Sequence, residues 1–195
     1  MKVLVVFCHP RRDSLTGQVA DAVVAGLGDA GHDAELADLY GEGFDPVLRE
    51  PDEPDWERED KVYSAAVQDE MARMERNDAV ILVFPIWWWS MPAVLKGWID
   101  RVWNKDWAYG SAFLPHKRAL AIGLSASDDP TYAKRGYDTA IETQIVTGIF
   151  NYCGIEDGRF AYLHHSTDGG ERPAAMIAEA RELGRHFADG LTEGR

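Results

Sequence analysis

The chain has 195 residues, of which 46% are hydrophobic, and its 33 acidic and 20 basic side chains give a formal charge of −13. The apolar fraction excludes a disordered or collagen-like chain, and the charge argues against nucleic acid or an anionic membrane as partner, because both are bound through clustered Lys and Arg. Two cysteines are too few for a disulfide framework, and no apolar run approaches the length of a membrane-spanning helix. We therefore expect one cytoplasmic domain over residues 1–195, without membrane insertion.

Short apolar runs alternate with segments of helical periodicity along the chain. Residues 3–7 are all apolar, as in a strand that is covered on both faces. Apolar residues then recur at helical spacing from Leu15 to Ala30, and Gly31 stands where a left-handed cap belongs. A second strand is predicted over residues 34–37.

Residues 42–60 interrupt this alternation with nine acidic residues, two Arg and three Pro. Their composition predicts a long, solvated excursion between two elements. Helical periodicity returns over residues 62–74.

The second half of the chain continues the alternation. Strands are predicted over residues 79–84, 119–124 and 160–163. One helix is predicted to begin near Pro92, and two others to run over residues 140–152 and 172–191. This order implies an α/β fold, with a parallel sheet, right-handed crossovers and helices on both faces. Five strands favour a flavodoxin-like sheet of order 2-1-3-4-5, in which ligands bind at the carboxyl ends of the strands.

The loop after the first strand reads His9-Pro-Arg-Arg-Asp-Ser-Leu-Thr-Gly. Unpaired N–H groups at a helix N-terminus suit a phosphate, Ser14 and Thr16 could add hydroxyl donors, and His9, Arg11 and Arg12 could offset its charge. The alternative is that Asp13 or Ser14 merely caps the helix and that the arginines are solvated. Two arginines, a histidine and two hydroxyls within nine residues favour the phosphate site.

After the third strand, residues 84–92 read Phe-Pro-Ile-Trp-Trp-Trp-Ser-Met-Pro. Three consecutive Trp side chains cannot all point into one core, because neighbours in an extended segment face opposite ways. Part of this aromatic surface should therefore line a cleft or an interface. A flavin ring needs such a place, with backbone N–H groups for its polar edge and flat apolar surface for its faces. The alternative is a large core cluster or a dimer contact.

Three further motifs carry weaker signals. Residues 123–130 form a polar loop of small residues, which would let the backbone approach a planar ligand but is also ordinary after a strand. Residues 26–31 spell G-x-G-x-x-G, but they end a helix and do not open one after a strand, so we do not expect a dinucleotide site there. His164 and His165 lack partners at metal-ligand spacing, and no metal site is predicted.

Together these loops resemble the NAD(P)H:quinone oxidoreductases of the flavodoxin-like fold, the group of DT-diaphorase and the bacterial drug-activity modulators. The resemblance covers most of residues 1–140. Its most specific part is Pro-x-x-Leu-Lys-x-Trp-Ile-Asp-Arg-Val over residues 92–102, and the motif Trp-Ala-Tyr-Gly over residues 107–110 adds to it.

The resemblance implies that three loops hold a flavin. The residues that it places against the flavin phosphates are His9, Ser14, Leu15 and Thr16, and those that it places against the ring are Pro85, Ile86, Trp87, Trp88 and Trp89. The family's Thr-Thr-Gly-Gly loop falls on residues 123–126, where this chain has Gly-Leu-Ser-Ala. We expect Ser125, through its N–H, and Ala126 to hold the N1–O2 edge of the ring.

The resemblance also implies catalytic residues. A Tyr and a His assist hydride transfer in the mammalian pattern; Tyr132 matches the Tyr, whereas Asp138, beside Tyr137, stands at the position of the His. The catalytic candidates are therefore Tyr132, Tyr137 and Asp138. Tyr109 matches a tyrosine that borders the substrate pocket across the dimer interface, and Trp88 is the second candidate for substrate binding.

Our leading interpretation is a flavoenzyme that works by ping-pong, two-electron hydride transfer. NADPH or NADH would reduce FAD, or alternatively FMN, at N5, and a quinone or a related acceptor would then take the hydride. A homodimer would complete the active site. The alternatives are a flavodoxin-type electron carrier, which the acidic surface would suit, and a flavin-dependent accessory or regulatory subunit.

Overall fold

The computed structural model describes residues 1–58 and 60–189. Its strands are β1 (Lys2–Phe7), β2 (Asp33–Asp38), β3 (Ala79–Pro85), β4 (Arg118–Leu124) and β5 (Asp157–Leu163). Its α-helices are α1 (Leu15–Asp29), α2 (Ala65–Glu75), α3 (Ala93–Val102), α4 (Asp129–Arg135), α5 (Tyr137–Glu142) and α6 (Arg172–Arg185).

All five strands are parallel and lie in the order β2-β1-β3-β4-β5, which confirms the predicted fold class and strand order. Alternate side chains of β1 enter different cores. Leu4 and Val6 pack with α2 and α3 on one face, and Val3 and Val5 pack with α1 and α6 on the other. This arrangement brings the carboxyl ends of β1, β3, β4 and β5 side by side.

Most predicted elements lie where the sequence placed them, with shifted ends. Strand β2 extends the predicted segment by one residue at each end, and Gly31, with φ of 76°, follows α1 in the left-handed conformation. The helix predicted over residues 140–152 begins as α5 and continues as a π-helix, Thr143–Asn151. Helix α6 ends at Arg185, and the predicted end at residue 191 lies outside the described residues. Within the described chain, no helix is both long and apolar enough to cross a bilayer.

The excursion predicted to be solvated is anchored in its middle. Asp52 is buried, and its carboxylate accepts hydrogen bonds from the Arg101 guanidinium at 2.7 Å and the Ser64 N–H at 2.8 Å. Gly97 lets the backbone of the excursion pack directly against α3, because a Cβ at this position would stand 2.2 Å from the Pro46 carbonyl oxygen. The prediction was wrong for this part because the compensating charge comes from α3, far away in sequence.

Helices α1 and α6 cross through a pair of glycines. A Cβ on Gly26 would lie 2.0 Å from the Arg181 carbonyl oxygen, and one on Gly184 would lie 2.3 Å from that of Val23. Backbones this close exclude any side chain at the crossing. The first glycine of the G-x-G-x-x-G pattern therefore serves helix packing.

Candidate active site

The loop after β1 ends in a capped helix. Ser14 is the N-cap of α1, and its Oγ accepts a hydrogen bond from the Gly17 N–H at 3.2 Å, so the capping alternative is correct for this residue. The N–H groups of Leu15 and Thr16, in the first turn, have no hydrogen-bond partner among the described residues. This helix N-terminus can therefore still donate to an anion.

The two arginines of this loop differ in what they contact. The Arg12 guanidinium pairs with Asp21 and lies 5.3 Å from the centroid of the Phe7 ring. The Arg11 side chain is exposed and forms no ion pair within the described chain, and its backbone N–H donates to His9 Nδ1 at 3.0 Å. Arg11 is therefore the cation at this loop that a ligand could engage.

The loop after β3 forms a tight turn, which we call the tryptophan turn, residues 87–90. Trp87 and Ser90 exchange backbone hydrogen bonds of 3.0 and 3.1 Å, and the two residues between them have φ of 52° (Trp88) and 53° (Trp89). Two-residue turns of this kind normally contain Asn and Gly, which tolerate positive φ. Each bulky residue held there costs about 1–3 kcal/mol, and such strain is concentrated at functional sites.

Contacts on both sides hold the tryptophan turn in place. The Trp89 ring stacks on Tyr137 with centroids 4.3 Å apart, and the Ser90 hydroxyl donates to Gln144 Oε1 at 3.0 Å. The Trp87 ring lies 6.0 Å from the ring of His9, which joins this turn to the loop after β1. Trp88 at its tip is 88% exposed.

A cleft of about 510 Å³ separates the tryptophan turn from the loop after β4. It is lined by Ile86, Trp88, Trp89, Ser125, Ala126, Ser127, Thr131, Tyr132, Arg135 and Tyr137. A larger groove of about 920 Å³ lies between α6 and strands β4 and β5, and none of the residues predicted for the site lines it. We therefore place the candidate site in the smaller cleft, where most of the ring-binding candidates and two catalytic candidates meet.

The backbone donors of this cleft differ from those expected. The Ser125 N–H donates to the Leu163 carbonyl at 2.9 Å, and the Ile86 N–H donates to the Leu124 carbonyl at 2.8 Å. The expectation that the Ser125 N–H faces the ligand is wrong, because hydrogen bonding between β4 and β5 continues one residue beyond the strand. Trp88, Trp89 and Ala126 at this cleft have N–H groups without a partner in the described chain.

Two of the three catalytic candidates line the cleft. Tyr132 is buried against Tyr137, edge to face with centroids 5.8 Å apart, and its hydroxyl has no hydrogen bond within the described chain. Asp138 does not line the cleft. Its carboxylate accepts a hydrogen bond from the Thr139 N–H at 2.7 Å, at the start of α5.

His164, which the sequence analysis did not select for this site, lies beside Tyr132. It directly follows β5, and its ring is 5.0 Å from that of Tyr132 and stacks at 5.4 Å on Tyr162. Burial raises the pKa of Tyr162, whose hydroxyl donates to the Asp138 carbonyl at 3.1 Å. The predicted strand order contained the necessary signal, because β5 ends next to β4 and its terminal residues belong to the same edge.

Tyr109 lies away from the cleft within one chain. Its ring is 5.7 Å from that of Tyr152 and 6.5 Å from that of Trp56, beside a groove of about 270 Å³ between α3 and the π-helix. Burial raises the pKa of Tyr109. Its predicted place at the pocket of a second subunit stays a prediction.

Comparisons with known proteins agree with this geometry. The family model Flavodoxin_2, described as a flavodoxin-like fold, matches residues 1–187. The chain is 35% identical over 193 residues to the uncharacterized NAD(P)H oxidoreductase YcaK of Escherichia coli, covering 97% of this chain and 98% of that protein. It is 30% identical over 179 residues to the ribosyldihydronicotinamide dehydrogenase (quinone) of Mus musculus, covering 80% and 78% of the two chains. The solved NAD(P)H:quinone oxidoreductase of Methanothermobacter marburgensis superposes with a TM-score of 0.91 at 26% identity, covering 100% of this chain and 99% of that one.

Proposed function

Because the chain belongs to the Flavodoxin_2 family and is an NAD(P)H:quinone oxidoreductase-type enzyme by homology, we propose that it uses a bound flavin to move two electrons from NADPH or NADH to a quinone or a related acceptor. The observation that carries the proposal is the cleft beside the tryptophan turn. Unpartnered N–H groups and flat aromatic side chains meet there at the carboxyl edge of the sheet, where ligands of this fold class bind.

The residues present fit a flavin. The N–H groups of Trp88, Trp89 and Ala126 would donate to the polar edge of the ring, a contact that needs donors without other partners. The N–H groups of Leu15 and Thr16 would receive its phosphate. A bound flavin would supply the hydride chemistry, accepting two electrons from the nicotinamide and passing them to the acceptor.

Charged and polar side chains of the β1 loop complete the phosphate site in this proposal. Arg11 would offset the charge of a phosphate, and His9 would hold the loop by accepting from the Arg11 N–H. Ser14 would act through its cap, which fixes the direction of the first turn of α1. FAD is the proposed cofactor and FMN the alternative.

The chain's own part in catalysis would be to orient the acceptor, exclude water and supply a proton. Trp88 and Trp89 would cover the cleft, with Trp89 fixed by its stack on Tyr137. The Tyr132 hydroxyl, which has no partner in the described chain, would donate to the acceptor oxygen and pass a proton to it. Asp138 would act only indirectly, because its carboxylate accepts from the Thr139 N–H in the first turn of α5 and does not line the cleft.

A homodimer is part of the proposal. Two exposed aromatic residues, Trp56 and Tyr152, flank Tyr109 on a surface that is separate from the cleft. Exposed aromatic clusters of this kind are typical of protein interfaces. A second copy seated there would cover these rings, and the resemblance implies that Tyr109 of one copy would border the substrate pocket of the other.

The proposal is tested on the purified protein in two steps. The flavin released by denaturation is identified by chromatography, and the oxidation of NADPH and NADH is then followed with a soluble quinone. We expect a bound or reconstitutable flavin and steady turnover. A protein that binds flavin but does not oxidise NAD(P)H would be an electron carrier, and one that stays colourless with excess FAD and FMN would overturn the proposal.

A further inference from the structure

We propose that His164 is a positioning residue for Tyr132, fixing the phenol at the acceptor end of the cleft. The proposal rests on the proposed function for the reaction itself. The role of His164 is argued from the structure, because the resemblance to the quinone oxidoreductases gives this residue no role. His164 comes from the end of β5, whereas Tyr132 belongs to α4, so the contact joins two elements across the edge of the sheet.

The imidazole of His164 is held by a hydrogen bond at Nδ1 and lies against a carboxylate at Nε2. Nδ1 lies 3.0 Å from the Ser127 carbonyl oxygen and donates to it. Nε2 is buried, and an Asp129 carboxylate oxygen lies 2.7 Å from it, though off the direction of a hydrogen bond. Asp129 is the first residue of α4, the helix that carries Tyr132, and Ser127 lies two residues before it. The ring of His164 therefore connects the end of β5 to the base of that helix.

Ring packing, and not a hydrogen bond, holds the Tyr132 phenol against its neighbours. The phenol ring contacts three other rings edge to face: Tyr137 at 5.8 Å, Tyr162 at 5.7 Å and His164 at 5.0 Å. The hydroxyl forms no hydrogen bond within the described chain, so none of its own polar contacts holds it. Of the three rings, His164 has the shortest centroid distance, and it also contacts Ser127, just before α4, and Asp129, the first residue of α4.

The loss of His164 should therefore affect one step more than the others. When an acceptor is reduced, the Tyr132 O–H bond breaks, the proton forms an O–H bond on the acceptor oxygen, and solvent returns a proton to the phenolate. The other hydrogen would arrive with the electron pair, as the hydride that the reduced flavin of the proposed function supplies. A phenol that can rotate away from the acceptor slows this step, because proton transfer requires hydrogen-bond reach. Flavin binding and reduction by NAD(P)H do not require the Tyr132 hydroxyl.

The chain offers a matched control next to the residue. His165 also faces a carboxylate, that of Asp168 at 3.2 Å, but its side chain is half exposed and its ring makes none of these aromatic contacts. Its φ of 66° is tolerated by Asn. His164→Asn and His165→Asn therefore make the same change at neighbouring positions, and only the first removes a contact of Tyr132.

The test separates the two half-reactions by stopped flow. For His164→Asn we expect reoxidation of the reduced protein by a soluble quinone to slow about tenfold at saturating quinone, with the half-saturating quinone concentration unchanged. Flavin reduction by NADPH should stay within about twofold of wild type. His165→Asn should match wild type in both. Equal slowing of both half-reactions, or an unchanged reoxidation rate, would overturn the proposal, whereas a wild type that oxidises no NAD(P)H would refute the proposed function instead.

A second readout needs no turnover. In flavin-free protein carrying ¹³C-labelled tyrosine, the Tyr132 resonance is assigned by its absence in Tyr132→Phe. It should move in His164→Asn and stay in place in His165→Asn. If His164→Asn does not fold, Asp129→Asn replaces it, because that side chain is 86% exposed and its loss removes only the contact at Nε2. A Tyr132 resonance that neither His164→Asn nor Asp129→Asn moves would also contradict the proposal.

Discussion

The two edges of the sheet differ in how their polar groups are used. At the amino edge, Arg118 is fully buried, and its guanidinium donates to Asp157 Oδ2 at 2.5 Å and to the carbonyl oxygens of Phe187 and, at 3.0 Å, Asp189. At the carboxyl edge, the N–H groups of Trp88 and Trp89, in the strained tryptophan turn, have no partners in the described chain. Buried polar groups are normally paired, so the first edge is built for stability, whereas the second keeps donors for a ligand.

The largest effect should come from the amino edge. Arg118→Ala removes a buried cation and leaves its acceptors unpaired, so we expect the free energy of unfolding to fall by about 3 kcal/mol. Urea denaturation measures this change. Arg159 pairs with the same carboxylate but is exposed, so Arg159→Ala should cost less than about 1 kcal/mol. Similar losses for the two variants would remove the distinction between the edges.

At the carboxyl edge, Tyr132→Phe should lower catalytic turnover and leave the free energy of unfolding unchanged. Loss of the proton donor should lower quinone turnover about tenfold, or about 1.4 kcal/mol of activation free energy. Flavin content and the urea midpoint should not change, because the hydroxyl has no partner in the described chain. Tyr40→Phe, at a partly exposed tyrosine outside the cleft, serves as control. Unchanged turnover would remove Tyr132 from the mechanism.

Relief of strain in the tryptophan turn should raise stability and lower activity. In flavin-free protein, Trp88→Asn should raise the free energy of unfolding by about 1 kcal/mol, because Asn tolerates φ of 52° and little packing is lost at an exposed indole. Quinone turnover should fall. Trp56→Asn replaces another exposed Trp, whose φ is not positive, and should give no gain. A destabilised Trp88→Asn would show that the turn is not strained.

The smallest effect concerns pH. Burial lowers the pKa of His116, although its Nε2 donates to the Met74 carbonyl at 3.0 Å. The unfolded chain therefore binds a proton more readily than the folded one below pH 6.5, so this contribution to stability is present above that pH and is lost on acidification. Urea midpoints between pH 7.5 and 5.5 should fall less in His116→Gln than in wild type. Equal falls would exclude His116 as the cause.

The sequence predicted the framework of the molecule because the signals for it are local. Buried runs such as residues 79–84 and the αL position of Gly31 depend on near neighbours only, and they gave the strands, their order and the edge that carries the site. The sequence also selected the tryptophan turn and Tyr132 as candidates for that edge. Both lie at the cleft.

The remaining features depend on contacts between distant residues. Asp52 is buried because Arg101 reaches it from α3, and the Ser125 N–H is occupied because β5 pairs beyond the end of β4. Two tryptophans do not carry the sequence signal of a turn with positive φ, so packing against Tyr137 must hold that conformation. His164 reaches Tyr132 only after β5 has been placed.

The glycine crossing of α1 and α6 has a consequence for biosynthesis. Val23 and Leu27 bury their side chains in a core shared with Met176 of the last helix. A ribosome releases α1 long before it makes α6. The apolar face of the first helix therefore lacks its partner helix while nearly the whole polypeptide is being translated. Nascent chains stalled before residue 172 should therefore be clients of chaperones that recognise apolar segments, even when all five strands have already emerged.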